Sequence, residues 1–365
     1  MGEDELRIAI LVPCLNEEAT IERVVRDFRA ALPEASVYVY DNNSRDQTAE
    51  LAHRAGALVR REPLPGKGNV VRRMFSDVDA DVYVLVDGDA TYDAASAPNM
   101  IERLTAEGLD MVVGCRVDQA AQQMSKAETS ARNWRTAPAQ RFAEMPGRSH
   151  GLSPTGDHAT AAYRPGHRFG NAMLTGFVSY LFGKRFSDIL SGYRVFSRRF
   201  VKSFPALSKG FEIETELSVH ALELRMPVAE VDTPYGARPE GSHSKLNTYR
   251  DGFRILFLIF ALFKNERPFQ FFSIVAAALA FLSVGLAIPI VIEWMKTGLV
   301  PRFPTAILST GLMILAFLSL TSGLVLETVT RGRQEMKRLV YLSVSRTFHS
   351  STPVFQSKEN SSRTL

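Results

Sequence analysis

Cysteine is scarce in this sequence: Cys14 and Cys115 are the only two among 365 residues. Two thiols cannot build a disulfide framework, and such usage suits a reducing cytosol. A surplus of one charge is also missing. The 43 Lys and Arg against 39 Asp and Glu leave a formal net charge of +4, too little to point to nucleic acid by itself. No cleavable leader is expected, because the first strand begins near Leu6, directly after the acidic GEDE. No GxGxxG follows that strand, and Gly66-Lys67-Gly68 lacks the spacing of a Walker-type phosphate loop. His150, His158 and His167 match no metal-ligand motif and read as solvated loop histidines. Charge-free stretches of membrane-spanning length are absent until about residue 270, after which the apolar content concentrates. The length leaves room for one large domain plus appendages.

What is present in the first half is alternation. Leu6–Cys14, Ser36–Asp41, Ala57–Arg61, the run Val82–Val86 and Asp110–Cys115 are strand-like by their Val, Ile, Leu and Tyr content. Between them, Glu18–Leu32 carries Ile21, Val24, Val25, Phe28 and Leu32 at helical spacing, and Gln47–Ala55, the stretch from Lys67 to about Val78, and Ala97–Glu107 also read as helices. Ser44 and Asp46 are good N-cap residues for the second of these. Strands alternating with helices predict an α/β fold with a doubly wound, mostly parallel sheet.

Three polar clusters fall at strand ends in that pattern. Pro13-Cys14-Leu15-Asn16-Glu17 follows the first strand, Asp41-Asn42-Asn43-Ser44-Arg45-Asp46 ends the second, and Asp87-Gly88-Asp89 ends the uncharged run Val82–Val86. Each alone has a bland reading as a cap or a turn. Carboxylates at the carboxyl ends of several strands of one sheet converge on one crevice, where open α/β sheets bind ligands. A carboxylate pair of this kind holds Mg²⁺ or Mn²⁺ and, through it, a substrate's phosphates. Lys67 either reaches a phosphate or is a solvated lysine in a turn.

The segments PCLNE, DNNSRDQT and DGD, in this order, resemble family 2 glycosyltransferases with the GT-A fold. DILSGYRVF at 188–196, GFEIETEL at 210–217 and GARPEGSHSKL at 236–246 narrow the resemblance to the polyprenyl-phosphate branch. That branch includes dolichyl-phosphate mannose and glucose synthases and their bacterial relatives. The resemblance implies that Pro13, Leu15, Glu17 and Asp41 hold the nucleoside. It places Asp87, Gly88 and Asp89 at the ribose and the metal, with Asp89 the more direct ligand. Relatives carry a longer polar side chain two residues after the second Asp; here it is Thr91, a weaker ligand.

From about Asp118 the periodicity dissolves into an Ala-, Gln-, Ser-, Thr- and Pro-rich insertion, expected over 118–162. Order returns at Tyr163-Arg164-Pro165-Gly166-His167-Arg168, before a helix running to about Phe182. Two arginines ahead of a helix N-terminus suit an oxyanion, and the family's acceptor loop carries such residues to meet the lipid phosphate. Their alternative is pairing with surface carboxylates. Asp188 either orients the acceptor, serves as a base, or caps the next segment. Glu212 and Glu214 begin a helix expected over Glu212–Arg225, where the dipole favours acids. Arg238 and Lys245 lie in a Gly- and Ser-rich loop; the matching Arg and Lys of the family close over the diphosphate.

Phe271–Ile292 and Phe303–Leu326 contain no charged residue, and each meets the roughly 20 residues that a membrane-spanning helix needs. Pro289 is placed to kink the first, and Trp294 fits an interface. Phe253–Phe263 is too short to span and reads as an interfacial helix. Arg250, Arg254, Lys264 and Arg267 precede the pair and Arg331, Arg333, Lys337 and Arg338 follow it, against Lys296 and Arg302 in the connector. That bias puts the catalytic domain and both termini in the cytoplasm. The expected organisation is a nucleotide-sugar-binding half over 1–117, the insertion over 118–162, an acceptor half over 163–249 and an interfacial helix over 250–270. Two spans over 271–326 and a basic helix with a tail over 327–365 complete it.

The resemblance implies an inverting transfer of one sugar from a UDP- or GDP-linked donor to polyprenyl phosphate, with Mg²⁺ or Mn²⁺ as cofactor. Asp89, Arg164, Arg168 and Asp188 are the expected catalytic set. Self-association is left open, and no nucleic-acid partner is expected. Two other readings stay open: a family 2 transferase with a glycan or protein acceptor, and a catalytically silent membrane scaffold. No QxxRW motif of processive synthases occurs.

Overall fold

The computed structural model describes residues 6–118, 176–181, 183, 186–210, 212–236 and 248–345. They divide into two compact units, one comprising 6–118, 186–210, 212–236 and 344–345, the other 176–181, 183 and 248–343.

The first unit is built on a seven-stranded sheet. Its strands are β1 (Ile8–Cys14), β2 (Ser36–Asp41), β3 (Leu58–Arg61), β4 (Val82–Leu85), β5 (Met111–Asp118), β6 (Arg194–Ser197) and β7 (Val228–Tyr235), in the order β3-β2-β1-β4-β6-β5-β7. Pairing is parallel except where β6 runs antiparallel between β4 and β5. β1 has β2 on one side and β4 on the other, so chain order reverses there, and the carboxyl ends of these strands border the crevice. The expected mostly parallel α/β sheet is what forms.

Helices α1 (Ile21–Ala31), α2 (Thr48–Arg54), α3 (Lys67–Asp77) and α4 (Ala97–Ala106) connect the first five strands. α1 buries Ile21, Val24, Val25 and Phe28, the stripe that its periodicity marks, and each such side chain contributes about 1.5–3 kcal/mol when fully buried. They pack with Ile10, Val12, Val37, Val39, Val82, Val84 and Val195 in one core. Short α5 (Arg198–Ser203) follows β6, capped by Ser197, whose hydroxyl accepts from the Phe200 N–H at 3.1 Å. α6 (Ile213–Glu223) is buried on nearly every side and leads to β7.

The second unit holds a short helix at 176–181, then α7 (Thr248–Glu266), α8 (Pro268–Thr297) and α9 (Phe303–Ser343). Phe177 meets Phe263 edge-on, and the Arg267 guanidinium donates to the Leu181 carbonyl at 3.0 Å. α8 and α9 are long and apolar enough to cross a membrane. Gly298, at φ 69°, ends α8 in the left-handed conformation that a glycine adopts without strain. The basic segment after Leu326 is no separate helix; α9 runs unbroken for 41 residues. At 1.5 Å per residue that is about 60 Å, twice a hydrocarbon core of about 30 Å.

The hairpin seam is made of residues seven apart: Ala276, Ser283 and Ile290 on α8, and Ser309, Ala316 and Gly323 on α9. A spacing of seven keeps one face turned to its neighbour along a left-handed crossing. Ser283 and Ser309 exchange hydroxyl-to-carbonyl hydrogen bonds of 2.7 and 2.9 Å. A Cβ on Gly323 would sit 2.8 Å from the Phe272 Cβ, whereas Gly285 faces open space. Gly323→Leu therefore lowers thermal stability in detergent by about 1–3 kcal/mol, the usual cost of overpacking. Gly285→Leu leaves it unchanged, and equal melting of the two variants would refute this seam.

Candidate active site

The site is assembled at the carboxyl ends of β1, β2 and β4. Parallel register sets Cys14 beside Asp41, and the Asn42 N–H donates to the Cys14 carbonyl at 2.9 Å. The two loops that leave these strands are laced together. The N–H groups of Asn16 and Glu17 donate to the hydroxyls of Ser44 (2.9 Å) and Thr48 (2.8 Å), and the Arg45 N–H donates back to Asn16 Oδ1 at 2.8 Å. The Glu18 N–H donates to Asp46 Oδ2, and the Gln47 N–H donates to Glu18 Oε2. Asn16 and Asn43 take the left-handed backbone that these turns need, at φ 51° and 66°, a conformation asparagine tolerates better than most residues. Ser44 is thus a cross-loop acceptor and not the cap of α2, whose N-cap position belongs to Gln47. Asp41 is buried and accepts from the Ser44 N–H. Pro13 and Glu17 are half-buried and Leu15 is exposed at the rim, so this edge presents a preformed surface with one apolar side chain.

The third loop, after β4, carries the aspartates. Gly88 lies against β1, where a Cβ would come 2.7 Å from Cys14 Sγ, and its carbonyl accepts from the Thr20 hydroxyl at 2.7 Å. Ala90 turns the chain with φ 56°, an uncommon conformation for a residue with a Cβ. That turn brings Thr91 back onto Asp89, and the Thr91 hydroxyl donates to Asp89 Oδ1 at 2.6 Å. Thr91 is itself buried, so its first role in this structure is to orient Asp89.

Asp87 is held from two sides. Its Oδ1 lies 2.5 Å from Lys67 Nζ, and the same ammonium lies 2.6 Å from Glu214 Oε1. Its Oδ2 abuts Gly192, where a Cβ would approach to 2.4 Å. Lys67 is neither solvated nor turned outward. Burial by itself would push its pKa down, but Asp87 and Glu214 outweigh that and hold the ammonium protonated well above the usual lysine range. Burial pushes the Glu214 carboxyl up, with Lys67 pulling the other way. Glu214 is therefore more than a helix-end acid. The lysine is delivered by two close approaches: a Cβ on Gly66 or Gly68 would come 2.1 Å from the carbonyl oxygens of Lys209 and Ser208 respectively.

Asp188 is buried and pairs bidentately with Arg116 at the end of β5, at 2.6 and 2.8 Å. Both Asp188 oxygens accept from the Arg116 guanidinium fork, a geometry that fixes the carboxylate's orientation. The turn after Asp188 is organised by Arg194, which is fully buried. Its guanidinium donates to the carbonyls of Ser191 (2.9 Å) and Ile189 (2.6 Å) and to the Ser218 hydroxyl (2.9 Å). Burial pulls its pKa down to about 10. Arg164, Arg168, Arg238, Lys245 and the insertion from residue 119 lie outside the described residues.

Asp87, Asp89 and Thr91 offer only hard oxygen donors, which fits Mg²⁺ or Mn²⁺. Among the described residues no group of three or more His, Cys, Asp or Glu is placed to hold a metal. A donor set this small suits a cation that is completed by substrate phosphates.

A family model described as glycosyl transferase family 2 matches residues 9–164. Glycosyltransferase AglJ of Haloferax volcanii is 32% identical over 91% of this chain and 97% of its own length. The chain belongs to glycosyltransferase family 2. Its sheet is thus the GT-A-like sheet of that family, followed by two helices apolar enough to span a membrane. A dolichyl-phosphate hexose transferase, also of Haloferax volcanii, is 23% identical to this family 2 chain over 67% of it and 89% of the relative. The crystal structure of Mycobacterium tuberculosis glucosyl-3-phosphoglycerate synthase superposes with a TM-score of 0.49 at 20% identity, covering 70% of this chain and 80% of that one.

Sequence reasoning missed the Lys67–Glu214 pairing, Arg116 and the contact of Gly192 with Asp87. Only the lysine carried a local signal, its two flanking glycines at a helix start.

Proposed function

We propose that this transferase moves a single sugar from a nucleoside diphosphate sugar, UDP- or GDP-linked, to polyprenyl phosphate at the cytoplasmic face of a membrane. The observation that carries the reading is the union, in one chain, of the Asp87-Gly88-Asp89 loop beside a preformed nucleoside edge with a hairpin of two membrane-length apolar helices. A lipid phosphate is the acceptor that such a chain meets in the bilayer, and the relative named as a dolichyl-phosphate hexose transferase supports that class. Basic residues flank the hairpin at Lys264, Arg267, Arg331, Lys337 and Arg338, against Lys296 and Arg302 in its connector, which supports the cytoplasmic orientation.

In this reading Pro13, Leu15, Glu17 and Asp41 hold the nucleoside, and Asp87 and Asp89 anchor the diphosphate end. A divalent cation bound there, Mg²⁺ or Mn²⁺, supplies positive charge against the departing diphosphate. Arg238 and Lys245 add to that charge. The acceptor is a phosphate monoester with a second pKa of about 6, already mostly ionised at neutral pH. It needs placement, which Arg164 and Arg168 supply, rather than a base, and the engagement of Asp188 by Arg116 agrees with that. A single in-line displacement by this oxygen inverts the anomeric centre.

The test incubates membranes containing the protein with labelled nucleotide sugars and polyprenyl phosphate, with and without EDTA. The expected product is an organic-soluble, mild-acid-labile sugar lipid that EDTA suppresses. Label in a glycan or protein fraction alone would move the acceptor to the other class, and no transfer from any donor would remove the reading.

A further inference from the structure

The cation nearest the diphosphate anchor is one that the protein already carries. Lys67 Nζ lies 2.5 Å from Asp87 Oδ1, and the other oxygen of Asp87 is packed against Gly192. A second carboxylate, Glu214, holds the same ammonium at 2.6 Å. Lysine and glutamate side chains are both more than nine-tenths removed from solvent, while Asp87 keeps 30% of its side chain accessible. The exposed member of the triad is thus the one facing the site, and the buried pair stands behind it. Lys67 therefore has an anchor that does not depend on Asp87.

We propose that Lys67 is a resident countercation that occupies Asp87 in the donor-free protein and yields it only when a diphosphate and its divalent cation arrive together. This rests on the nucleotide-sugar reading above. With Lys67 in place, a divalent cation alone meets an aspartate whose one oxygen is taken by an ammonium and whose other lies against Gly192. The remaining carboxylate, Asp89, is committed through Oδ1 to Thr91. The free protein is therefore a weak metal binder. A diphosphate changes the balance, because its oxygens complete the cation's shell and offer Lys67 a new anionic partner while Glu214 keeps the lysine in place. The consequence is an order of events, with metal entering with the donor and not ahead of it. Glu214 and Lys67 act here as positioning residues, through Asp87.

The readout is calorimetric binding of Mn²⁺ to the purified full chain in detergent, alone and with UDP or GDP, with no turnover involved. The wild-type protein is expected to bind Mn²⁺ weakly alone and far more tightly with the nucleotide. Lys67→Met is expected to raise the affinity for Mn²⁺ alone by about tenfold, the scale of removing one nearby like charge in a screened site. Lys67→Met/Glu214→Gln removes both buried charges, so it preserves net charge and guards against loss of folding; it should show the same gain. In an Asp87→Asn background the gain should vanish. Unchanged affinity for Mn²⁺ alone in both Lys67 variants, with nucleotide-dependent Mn²⁺ binding intact, overturns the proposal and leaves the donor reading standing. A gain that survives Asp87→Asn also overturns it. Absence of Mn²⁺ binding with either nucleotide, in every variant, removes the donor reading and this proposal together.

Discussion

Asp89→Ala is expected to lower sugar transfer by about a thousandfold or more while leaving the melting temperature within a few degrees of wild type. The aspartate is buried at the end of the central strand and reaches the site from a turn whose strained residue, Ala90 at φ 56°, exists to aim it. Its Oδ1 is fixed by the Thr91 hydroxyl, so for the proposed reaction the carboxylate is already oriented. Removing one preorganised electrostatic group from an active site typically costs about 10²–10³ in turnover, and loss of the proposed metal anchor adds to that. Asp89→Asn keeps the shape and the Thr91 contact but loses the charge, so it should be nearly as impaired. Thr91→Val removes only the orienting hydroxyl and should cost about ten- to a hundredfold, since one hydrogen bond to a charged group contributes about 1.5–3 kcal/mol. Measured with labelled donor at saturating concentration of the proposed lipid phosphate acceptor, the ranking Ala, Asn, Val from most to least impaired is the result to check. Full turnover in Asp89→Ala would remove the residue from the mechanism.

Much of this site was legible because its signals are local. The runs at Ile8–Cys14, Ser36–Asp41 and Val82–Leu85 are apolar on both faces, as strands covered by helices must be, and each ends in a polar cluster that a parallel sheet places on one edge. The hairpin was legible for the same reason, since a charge-free stretch of membrane length is a one-dimensional pattern. What escaped was decided by distance along the chain. Lys67 and Glu214 are 147 positions apart, and nothing near either shows that one ammonium serves two carboxylates. β6 has four residues and comes after a turn, so its Arg-Val-Phe-Ser resembles the end of a loop; it is a strand because β4 and β5 leave a gap that it fills antiparallel. At Leu326 the composition of α9 changes from apolar to basic, which suggests a boundary, but the helix continues unbroken through it. The pairing of Asp188 with Arg116 also spans distant positions, and Arg116 itself passes as an ordinary residue of a strand.

Arg194 shows the largest gap between its appearance in the sequence and its place in the fold, and it carries the largest expected effect on stability. In the sequence it is one arginine in a turn-rich stretch; in the structure it is fully buried, with its guanidinium spread over the carbonyls of Ile189 and Ser191 and the hydroxyl of Ser218. No carboxylate is among those acceptors, although Glu214 and Asp188 are near enough to support its charge and partly offset the burial that pulls its pKa down to about 10. Arg194→Ala empties a large buried volume and strands three buried acceptors. The expected loss is about 3–5 kcal/mol, the range for breaking a buried charged network. Arg194→Met refills most of the volume and isolates the polar part, which should cost about 1–3 kcal/mol. Arg194→Lys keeps the charge without the three-way fork and should fall between them. Activity should fall further than stability in the two milder variants, because the turn that Arg194 holds carries Gly192 against Asp87 and keeps that carboxylate in register with Lys67. Thermal denaturation in detergent gives the first ranking and donor-dependent transfer below the melting temperature gives the second. Wild-type stability in Arg194→Ala would mean that the turn at 189–194 is held by something other than this side chain.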